Sequence, residues 1–347
     1  MGTGGVRVGI IGAGGNTRLM HIPGFRAIAG VSIEAVCNRT PESSQRAAQE
    51  LGIPRVHARW EDLVRDPALD AVLIGTWPYL HCPCTVAALR AGKHVLCEAR
   101  MAMDAAEARR MVKAAAARPD LVAQVVPAPY TLELDRTINR LLGEGAIGQV
   151  LSVDVRGTAG GFIDRESPLH WRQDAKVSGE NVLSLGILYE MAARWVGHAR
   201  TVRAMTRTFV ATRKDAASGA PVTVSVPDHV DVLAGMGRGA QMRLQVSAVT
   251  GLPGGAMEAW LYGTEGTLRV DIGRKALSIL RRGRQAMEEV PVPETERIGW
   301  RVEQEFIGAI RGQEKVERTT FHEGALCMEF TEAVARAAAS GRTAALP

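Results

Sequence analysis

A glycine-rich turn near the start of the chain has the composition of a nucleotide-phosphate site. The segment GAGGNT, residues 12–17, follows an apolar run and precedes a helical segment. The first glycine permits a tight turn, and the second lets the backbone approach a pyrophosphate at the helix N-terminus. Threonine stands where the usual G-x-G-x-x-G pattern has its third glycine, but the place after a first strand supports the match. We therefore predict dinucleotide binding by four residues of this turn: Gly12, Gly14, Asn16 and Thr17.

The end of the second apolar run indicates which dinucleotide is bound. NAD-preferring sites usually place Asp or Glu there, which accepts a hydrogen bond from the adenosine ribose 2′-hydroxyl. This chain has Asn38 and Arg39 instead. Neither side chain repels a 2′-phosphate, and the guanidinium of Arg39 can pair with one bidentately. The alternative is that Arg39 is a solvated loop residue. We expect both residues at the adenosine ribose and predict NADP in preference to NAD.

The elements that must position this turn alternate between strand and helix patterns. Continuous apolar runs, typical of buried parallel strands, are separated by helical segments and lie at 6–11, 32–37, 71–75, 94–97 and 121–126. Such alternation with short connections indicates an α/β doubly wound parallel sheet. We predict a dinucleotide-binding domain over residues 1–126.

The pattern changes after residue 126. Six segments alternate with period two, which indicates an antiparallel sheet with one covered face. They lie at 150–157, 201–210, 229–236, 242–249, 258–263 and 266–272. Helices are predicted at 181–196 and 323–340. Residues 127–347 are therefore expected to form an α+β domain with a large, mostly antiparallel sheet.

Composition excludes several classes of function. The net charge of +5 is spread along the chain, whereas nucleic-acid binding needs a concentrated basic stripe. No apolar run reaches the 18 or so residues of a membrane helix, and the N-terminus lacks a basic region followed by a cleavage site, so we expect a cytoplasmic protein. The five cysteines form no CxxC pair and no Cys/His set with metal-ligand spacing. We expect free thiols in a reducing compartment and no metal.

Four motifs in this order resemble the Gfo/Idh/MocA family: the glycine turn, GTWPYLH (75–81), AGKHVLCEAR (91–100) and SGENVLSLGILYEMAARWVG (178–197). The resemblance implies a Rossmann domain followed by an antiparallel-sheet domain. It also implies an NAD(P)-dependent oxidoreductase that acts on a CH–OH or C=O group of a sugar, cyclitol or related molecule. A polyhydroxylated small-molecule substrate and a homodimer or homotetramer are expected.

The resemblance assigns further cofactor-binding positions. Thr76, Trp77, Pro78 and His81 fall on the loop that lies beside the nicotinamide half in the family. Glu98 falls on the residue that holds the nicotinamide ribose.

The catalytic positions of the family are replaced in this chain. The resemblance places the catalytic lysine of the Glu-Lys-Pro triplet on Ala99, and the paired Asp and His of the catalytic helix on Ser184 and Leu188. None of these three side chains can exchange a proton near neutral pH. Since a positioned general base contributes about 10²–10⁴ in rate, hydride transfer requires a substitute group.

Three residues are candidate substitutes for the acid/base group: His170, Lys176 and Tyr189. His170 has a suitable ordinary pKa, Lys176 lies just before the helix, and Tyr189 points about 100° away from Leu188. For each of them the alternative is a packing or loop residue.

Six residues are expected at the substrate: Arg100, Tyr130, Trp171, Arg172, Ser184 and Leu188. Arg100 stands where the family has proline and is suited to a substrate carboxylate or phosphate, or else is a solvent-facing arginine. Trp171-Arg172 resembles a pattern that precedes the catalytic helix of the family.

Two other functions remain open at this point. The chain is alternatively a lyase or hydrolase that retains the cofactor for transient oxidation, or a nucleotide- or ligand-binding regulator without catalysis. Fold does not choose among them. An apolar environment around Ala99 and Leu188 favours the regulator, whereas a pocket containing His170 or Lys176 favours an enzyme.

Overall fold

The computed structural model describes residues 5–251 and 254–347 and falls into two compact units. The first contains the chain through Pro127 together with Arg301–Met328, and the second contains Ala128–Trp300 and Glu329–Pro347. The N-terminal segment from which we predict a cytoplasmic protein includes residues 1–4, which lie outside the described residues.

The first unit contains a six-stranded sheet in which every pairing is parallel. Its strands are β1 (Val6–Ile11), β2 (Val31–Cys37), β3 (Arg55–Val56), β4 (Ala71–Ile74), β5 (His94–Cys97) and β6 (Ala123–Val125), in the order β3-β2-β1-β4-β5-β6. Its first helices are α1 (Ile22–Arg26), α2 (Pro41–Leu51), α3 (Trp60–Arg65), α4 (His81–Arg90) and α5 (Ala105–Ala116). This order confirms the predicted doubly wound sheet and places its switch point between β1 and β4.

The second unit contains a nine-stranded mixed sheet. Its elements in chain order are α6 (Asp135–Gly143), β7 (Val150–Thr158), α7 (Ala175–Ser178), α8 (Leu185–Val196), β8 (Ala199–Arg207), β9 (Thr212–Lys214), β10 (Pro221–Thr223), β11 (His229–Met236), β12 (Gln241–Ser247), β13 (Met257–Gly263), β14 (Gly266–Asp271), β15 (Ala276–Arg281) and β16 (Glu288–Val290). With the C-terminal β17 (Ala344–Ala345), the order is β16-β15-β14-β13-β7-β12-β11-β8-β17, and β9 and β10 form a separate hairpin. Only the β7–β12 pairing is parallel, which confirms the predicted large, mostly antiparallel sheet.

The first unit differs from the predicted range because residues 301–328 pack in it. This segment contains α9 (Val302–Ile310) and the first part of α10 (Phe321–Ser340). Phe321 and Met328 are buried in the core of the first unit. A backbone hydrogen bond of 3.0 Å from the Val125 N–H to the Thr319 carbonyl adds to this packing. Apolar burial thus assigns a late segment of the chain to the nucleotide-binding unit.

Helix α8 is packed on the sheet of its own unit. It begins at Leu185, four residues later than predicted, because Leu183 adopts a positive φ of 47° that a right-handed helix cannot contain. At its C-terminal end, Arg194 and Trp195 both bind the buried carboxylate of Asp135, at 3.0 Å and 2.9 Å. The helix is therefore fixed by both apolar packing and a buried ion pair.

In residues 5–251 and 254–347, no helix has the length and apolar composition of a membrane span. Within the same residues, no three His, Cys, Asp or Glu side chains are grouped as metal ligands.

Candidate nucleotide site

The glycine turn lies at the carboxyl edge of the parallel sheet, between the ends of β1 and β4. Gly12 has a φ of +90°, and a Cβ there would stand 2.8 Å from the carbonyl group of Gly75. Glycine is therefore needed both for the backbone angle and for the close approach of the two chain segments. The Thr17 hydroxyl donates to the Gly12 carbonyl at 3.0 Å and is almost fully buried. The Thr17 side chain thus closes the turn, and its contact with the cofactor stays a prediction.

A cavity of about 570 Å³ opens beside this turn, within the size range of ligand sites. It lies entirely on the first unit, at the ends of β1, β2 and β4. Six predicted cofactor-binding residues line it: Gly12, Gly14, Asn38, Arg39, Thr76 and Trp77. The fit to a nucleotide is supported by the glycine cradle, which leaves backbone free of side chains where a pyrophosphate would lie.

The side-chain amide of Asn38 joins two of the chain segments that line this cavity. Its Oδ1 accepts the Ala13 N–H at 2.7 Å, and its Nδ2 donates to the Ser43 carbonyl at 3.0 Å. The side chain predicted to meet the adenosine ribose thus connects the glycine turn to the first turn of α2.

Arg39 lines this cavity next to Trp77. Its guanidinium stands over the Trp77 ring, 5.9 Å from the ring centroid, as in a cation–π contact. Arg59 and Glu61 also line the cavity and pair with each other at 3.2 Å. The sequence did not indicate these two residues because they follow β3, a strand too short to produce an apolar pattern.

His81 and Pro78 support the backbone of the loop at 75–81. Pro78 starts a short 3₁₀ turn, and both residues are buried. The His81 ring nitrogens lie 2.9 Å from the carbonyl oxygen of Thr76 and 2.8 Å from that of Arg100, and a neutral ring donates to one of them. Burial lowers its pKa. The ring therefore connects two loops, and its assignment to the cofactor site stays a prediction.

The carboxylate of Glu98 is held by residues on both sides of it. Its Oε1 accepts hydrogen bonds from the Asn16 side chain and from the His21 Nε2, the latter at 3.0 Å, and its Oε2 accepts the Ala99 N–H at 3.0 Å. Burial acts to raise the pKa of Glu98, but the hydrogen bonds from His21, Asn16 and Ala99 lower it below the usual value. Glu98 is thus an ionised acceptor beside the glycine turn.

Sequence reasoning missed His21 and Glu303, which complete this cluster. The His21 Nδ1 lies 2.5 Å from Glu303 Oε1, and both side chains are fully buried. Glu303 belongs to α9, which was not predicted. A buried carboxylate 282 positions away leaves no local pattern in the sequence.

Arg100 is buried, with 6% of its surface exposed, so the alternative of a solvent-facing arginine is wrong. Ala99, at the position of the family's lysine, is half-buried.

His170 lies on a loop that is fixed within the second unit. The buried Arg213 donates to three carbonyls of this loop: those of Phe162 (2.5 Å), Asp164 (2.8 Å) and Ser167 (3.1 Å). The Nδ1 of His170 accepts the Arg172 N–H at 3.2 Å. Burial, together with the charges of Arg172 and Arg213, lowers the pKa of His170. A neutral ring with its proton on Nε2 follows from these contacts.

The other two acid/base candidates differ in exposure. Lys176, on α7, is exposed. Tyr189 is fully buried; its ring stacks on Phe330 at 3.6 Å, and its hydroxyl accepts the Ala199 N–H at 2.9 Å. The tyrosine hydroxyl is therefore engaged in packing α8.

The expected substrate residues of the second unit also differ in exposure. Leu188 is fully buried, whereas Ser184, Tyr130, Trp171 and Arg172 are half-buried. The guanidinium of Arg172 stands over the Trp171 ring at 4.2 Å. The Tyr130 carbonyl accepts a 2.6 Å hydrogen bond from Arg194, which ties the start of the second unit to α8.

Comparison with known proteins relates both units to one family. Residues 6–125 match the model of an oxidoreductase family with an NAD-binding Rossmann fold, and residues 136–269 match the GFO/IDH/MocA C-terminal domain.

Individual relatives match over part of their length. Levoglucosan dehydrogenase of Pseudarthrobacter phenanthrenivorans is 29% identical over 191 residues, which cover 54% of this chain and 48% of that protein. The 1,5-anhydro-D-fructose reductase of Ensifer adhaerens is 42% identical over 109 residues, 31% of this chain and 32% of that protein. The chain thus spans about half or less of the length of these relatives.

A solved structure shows the same fold along nearly the whole chain. The structure of levoglucosan dehydrogenase in complex with NADH and L-sorbose superposes with a TM-score of 0.87 at 24% identity. It covers 99% of this chain and 100% of that one. Since both domain models match in order and the fold agrees throughout, the chain belongs to the Gfo/Idh/MocA family.

Proposed function

We propose that the chain is an NAD(P)-dependent oxidoreductase acting on a CH–OH or C=O group of a sugar, cyclitol or related polyhydroxylated molecule. The observation that carries this proposal is the nucleotide site of the first unit, in which the glycine cradle and an ionised Glu98 lie at one sheet edge. The relatives named above, a dehydrogenase and a reductase of sugar derivatives, support the substrate class.

The adenosine half of the cofactor is assigned to the cavity beside the glycine turn. The backbone at Gly12 and Gly14 receives the pyrophosphate, and Trp77 and Thr76 also line the cavity. Arg39 supplies the cation for a 2′-phosphate, and Asn38 adds no negative charge. These residues support NADP in preference to NAD.

The nicotinamide ribose is assigned to Glu98. An ionised carboxylate has lone pairs beyond those used by its present donors, so it can accept hydrogen bonds from ribose hydroxyls. When bound, the cofactor supplies the carbon that accepts or donates the hydride.

His170 is proposed as the group that contacts the reacting oxygen. Because its Nδ1 accepts a backbone N–H, the neutral ring presents a hydrogen-bond donor at Nε2 and no basic lone pair. A neutral imidazole of this kind polarises a carbonyl oxygen and stabilises the negative charge that develops on it during hydride transfer in either direction. Lys176 is the exposed candidate for exchanging the proton with solvent. The role of Tyr189 is confined to packing.

The proposal is tested by incubating the purified protein with NADPH and a panel of keto-sugars and cyclitol ketones, and following NADPH consumption. Oxidation of NADPH with at least one of these ketones is the expected result. Saturable binding of NADPH without consumption across the panel would instead indicate a non-catalytic regulator, which the apolar burial of Leu188 favours.

We further propose that the protein is cytoplasmic and forms a homodimer or homotetramer. All five cysteines are buried and free, which fits a reducing compartment. The open face of the nine-stranded sheet carries Met205 and Leu233, with exposures of 78% and 60%. Large apolar side chains at such positions support contact with another copy. Sedimentation analysis of the purified protein measures the mass.

A further inference from the structure

A histidine enclosed by two carboxylates lies directly behind the glycine turn. His21 ends the π-helical turn Thr17–His21, and its side chain is fully buried. One ring nitrogen faces Glu98 on the carboxyl end of β5, and the other faces Glu303 on α9, at 3.0 Å and 2.5 Å. The charges of both carboxylates act to raise the pKa of the ring. The ring thus connects Glu98, beside the glycine turn, with Glu303, in the segment 301–328 that packs in the same unit.

The contacts determine the charge of the ring. An ionised carboxylate only accepts hydrogen bonds, and a neutral imidazole has a single N–H. With two carboxylates in place, a neutral ring would leave one nitrogen lone pair against a carboxylate oxygen, whereas an imidazolium donates to both. Burial acts to lower the pKa of His21, but the hydrogen bonds to Glu303 and Glu98 outweigh it and raise the pKa to about 9.

Space for Glu303 is provided by a glycine inside α1. A Cβ on Gly24 would lie 2.6 Å from the carboxyl carbon of Glu303. Glycine within a helix costs about 1 kcal/mol relative to alanine. The position of Glu303 against His21 therefore depends on a residue that is unfavourable for the local helix.

We infer that His21 is a positioning residue: held by Glu303, it fixes the Glu98 carboxylate in the orientation that accepts the nicotinamide ribose hydroxyls. This inference rests on the proposed function, because it assigns Glu98 to that ribose. His21 does not touch the cofactor in this account. It acts through Glu98, together with Asn16 on the same carboxylate oxygen.

The effect on binding is specific to one half of the cofactor. Without the ring, Glu98 keeps only its bonds to Asn16 and the Ala99 N–H, so its carboxylate gains rotational freedom. NADPH binding is then weakened, whereas binding of 2′-phospho-ADP, which lacks the nicotinamide ribose, is unaffected.

The experiment compares the unmodified protein with His21→Gln and Glu303→Gln. Fluorescence or calorimetric titration gives the Kd for NADPH and for 2′-phospho-ADP, and NMR of the histidine ring gives its titration in the absence of nucleotide. We expect about a tenfold weaker NADPH affinity in His21→Gln, an unchanged Kd for 2′-phospho-ADP, and a His21 ring that titrates near pH 9 and lower in Glu303→Gln.

Three results would overturn the inference. They are equal weakening of both ligands, unchanged NADPH affinity in folded His21→Gln, or a ring that titrates near pH 6.5 in the unmodified protein. Failure of the proposed function has a different signature: the unmodified protein would bind neither ligand, and the NMR titration would still report whether Glu98 and Glu303 hold a charged ring. If the unmodified protein binds 2′-phospho-ADP but not NADPH, the ribose role of Glu98 is wrong, and the positioning role fails with it.

Discussion

The side chain of Leu188 occupies the space above Gly157 in strand β7, and a Cβ on that glycine would overlap the Leu188 Cδ1. Leu188 is fully buried there. The position to which the resemblance assigns the family's histidine is thus part of the contact between α8 and the sheet of the second unit. Apolar packing, not proton transfer, is what this residue supplies.

Substitution Gly157→Ala is expected to destabilise the protein by about 1–3 kcal/mol, since the new methyl group overpacks a filled contact. Chemical denaturation measures the change. Gly161→Ala is the matched control, because nothing lies within 4 Å of a Cβ at that position. Equal stability of the two variants would contradict the described packing.

Substitution Tyr189→Phe is expected to reduce stability by about 1–3 kcal/mol, because the buried Ala199 N–H loses its acceptor. Turnover per folded molecule stays unchanged. The paired measurements are denaturation and NADPH consumption. A large loss of turnover with unchanged stability would restore Tyr189 as an acid/base group.

Substitution Arg39→Ala is expected to weaken NADPH binding by about tenfold, roughly 1.4 kcal/mol, and to leave NADH binding nearly unchanged. NADPH affinity falls because the 2′-phosphate loses its positively charged partner. Arg46→Ala, an exposed arginine on α2, serves as the control. Parallel weakening of both cofactors would show that Arg39 acts only by stacking on Trp77.

Replacement of His170 distinguishes hydrogen-bond donation from proton transfer. His170→Gln keeps an N–H donor and is expected to retain more turnover than His170→Phe. Burial and the neighbouring arginines lower the pKa of His170, so the ring is neutral at and above neutral pH. The dependence of turnover on pH is therefore expected to show no inflection from His170 in that range. A step in turnover above pH 7 that is present in the unmodified protein and lost in His170→Gln would contradict the donor role.

Stability is expected to depend on pH through the cluster of His21, Glu98 and Glu303. The raised pKa of His21 means that its contribution is fully present below about pH 6.5 and is lost as pH rises through about 9. The lowered pKa of Glu98 means that its contribution is present above its ordinary pKa and is lost as pH falls. Chemical denaturation across this pH range measures the free energy of unfolding, which is expected to fall along an alkaline limb and along an acid limb.

In Glu303→Gln the alkaline limb moves to lower pH, because the ring then has one carboxylate partner instead of two. An alkaline limb at the same pH in both proteins would contradict the charged ring.

The parallel sheet could be predicted because strands buried on both faces are continuous apolar runs, and the glycine turn because close backbone approach excludes other residues. The antiparallel sheet was visible from its period-two alternation. Strand β3 was missed since two residues carry no pattern.

The late segment was misassigned for a physical reason. Helix α9 (VEQEFIGAI) is mostly apolar, but its two carboxylates, Glu303 and Glu305, are buried and satisfied inside the first unit. Their partners, His21 and Gln124, lie far away in the chain. Tertiary pairing of this kind leaves no signal in local composition, so the cluster behind Glu98 required the structure.

The central claim is that this chain binds a nicotinamide dinucleotide at the glycine turn, and the most direct test is titration of the purified protein with NADPH and NADH. We predict saturable binding of both, with NADPH about tenfold tighter. A preference for NADH would contradict the role of Arg39. Absence of binding by either dinucleotide, with the protein shown to be folded, would contradict the proposed function itself.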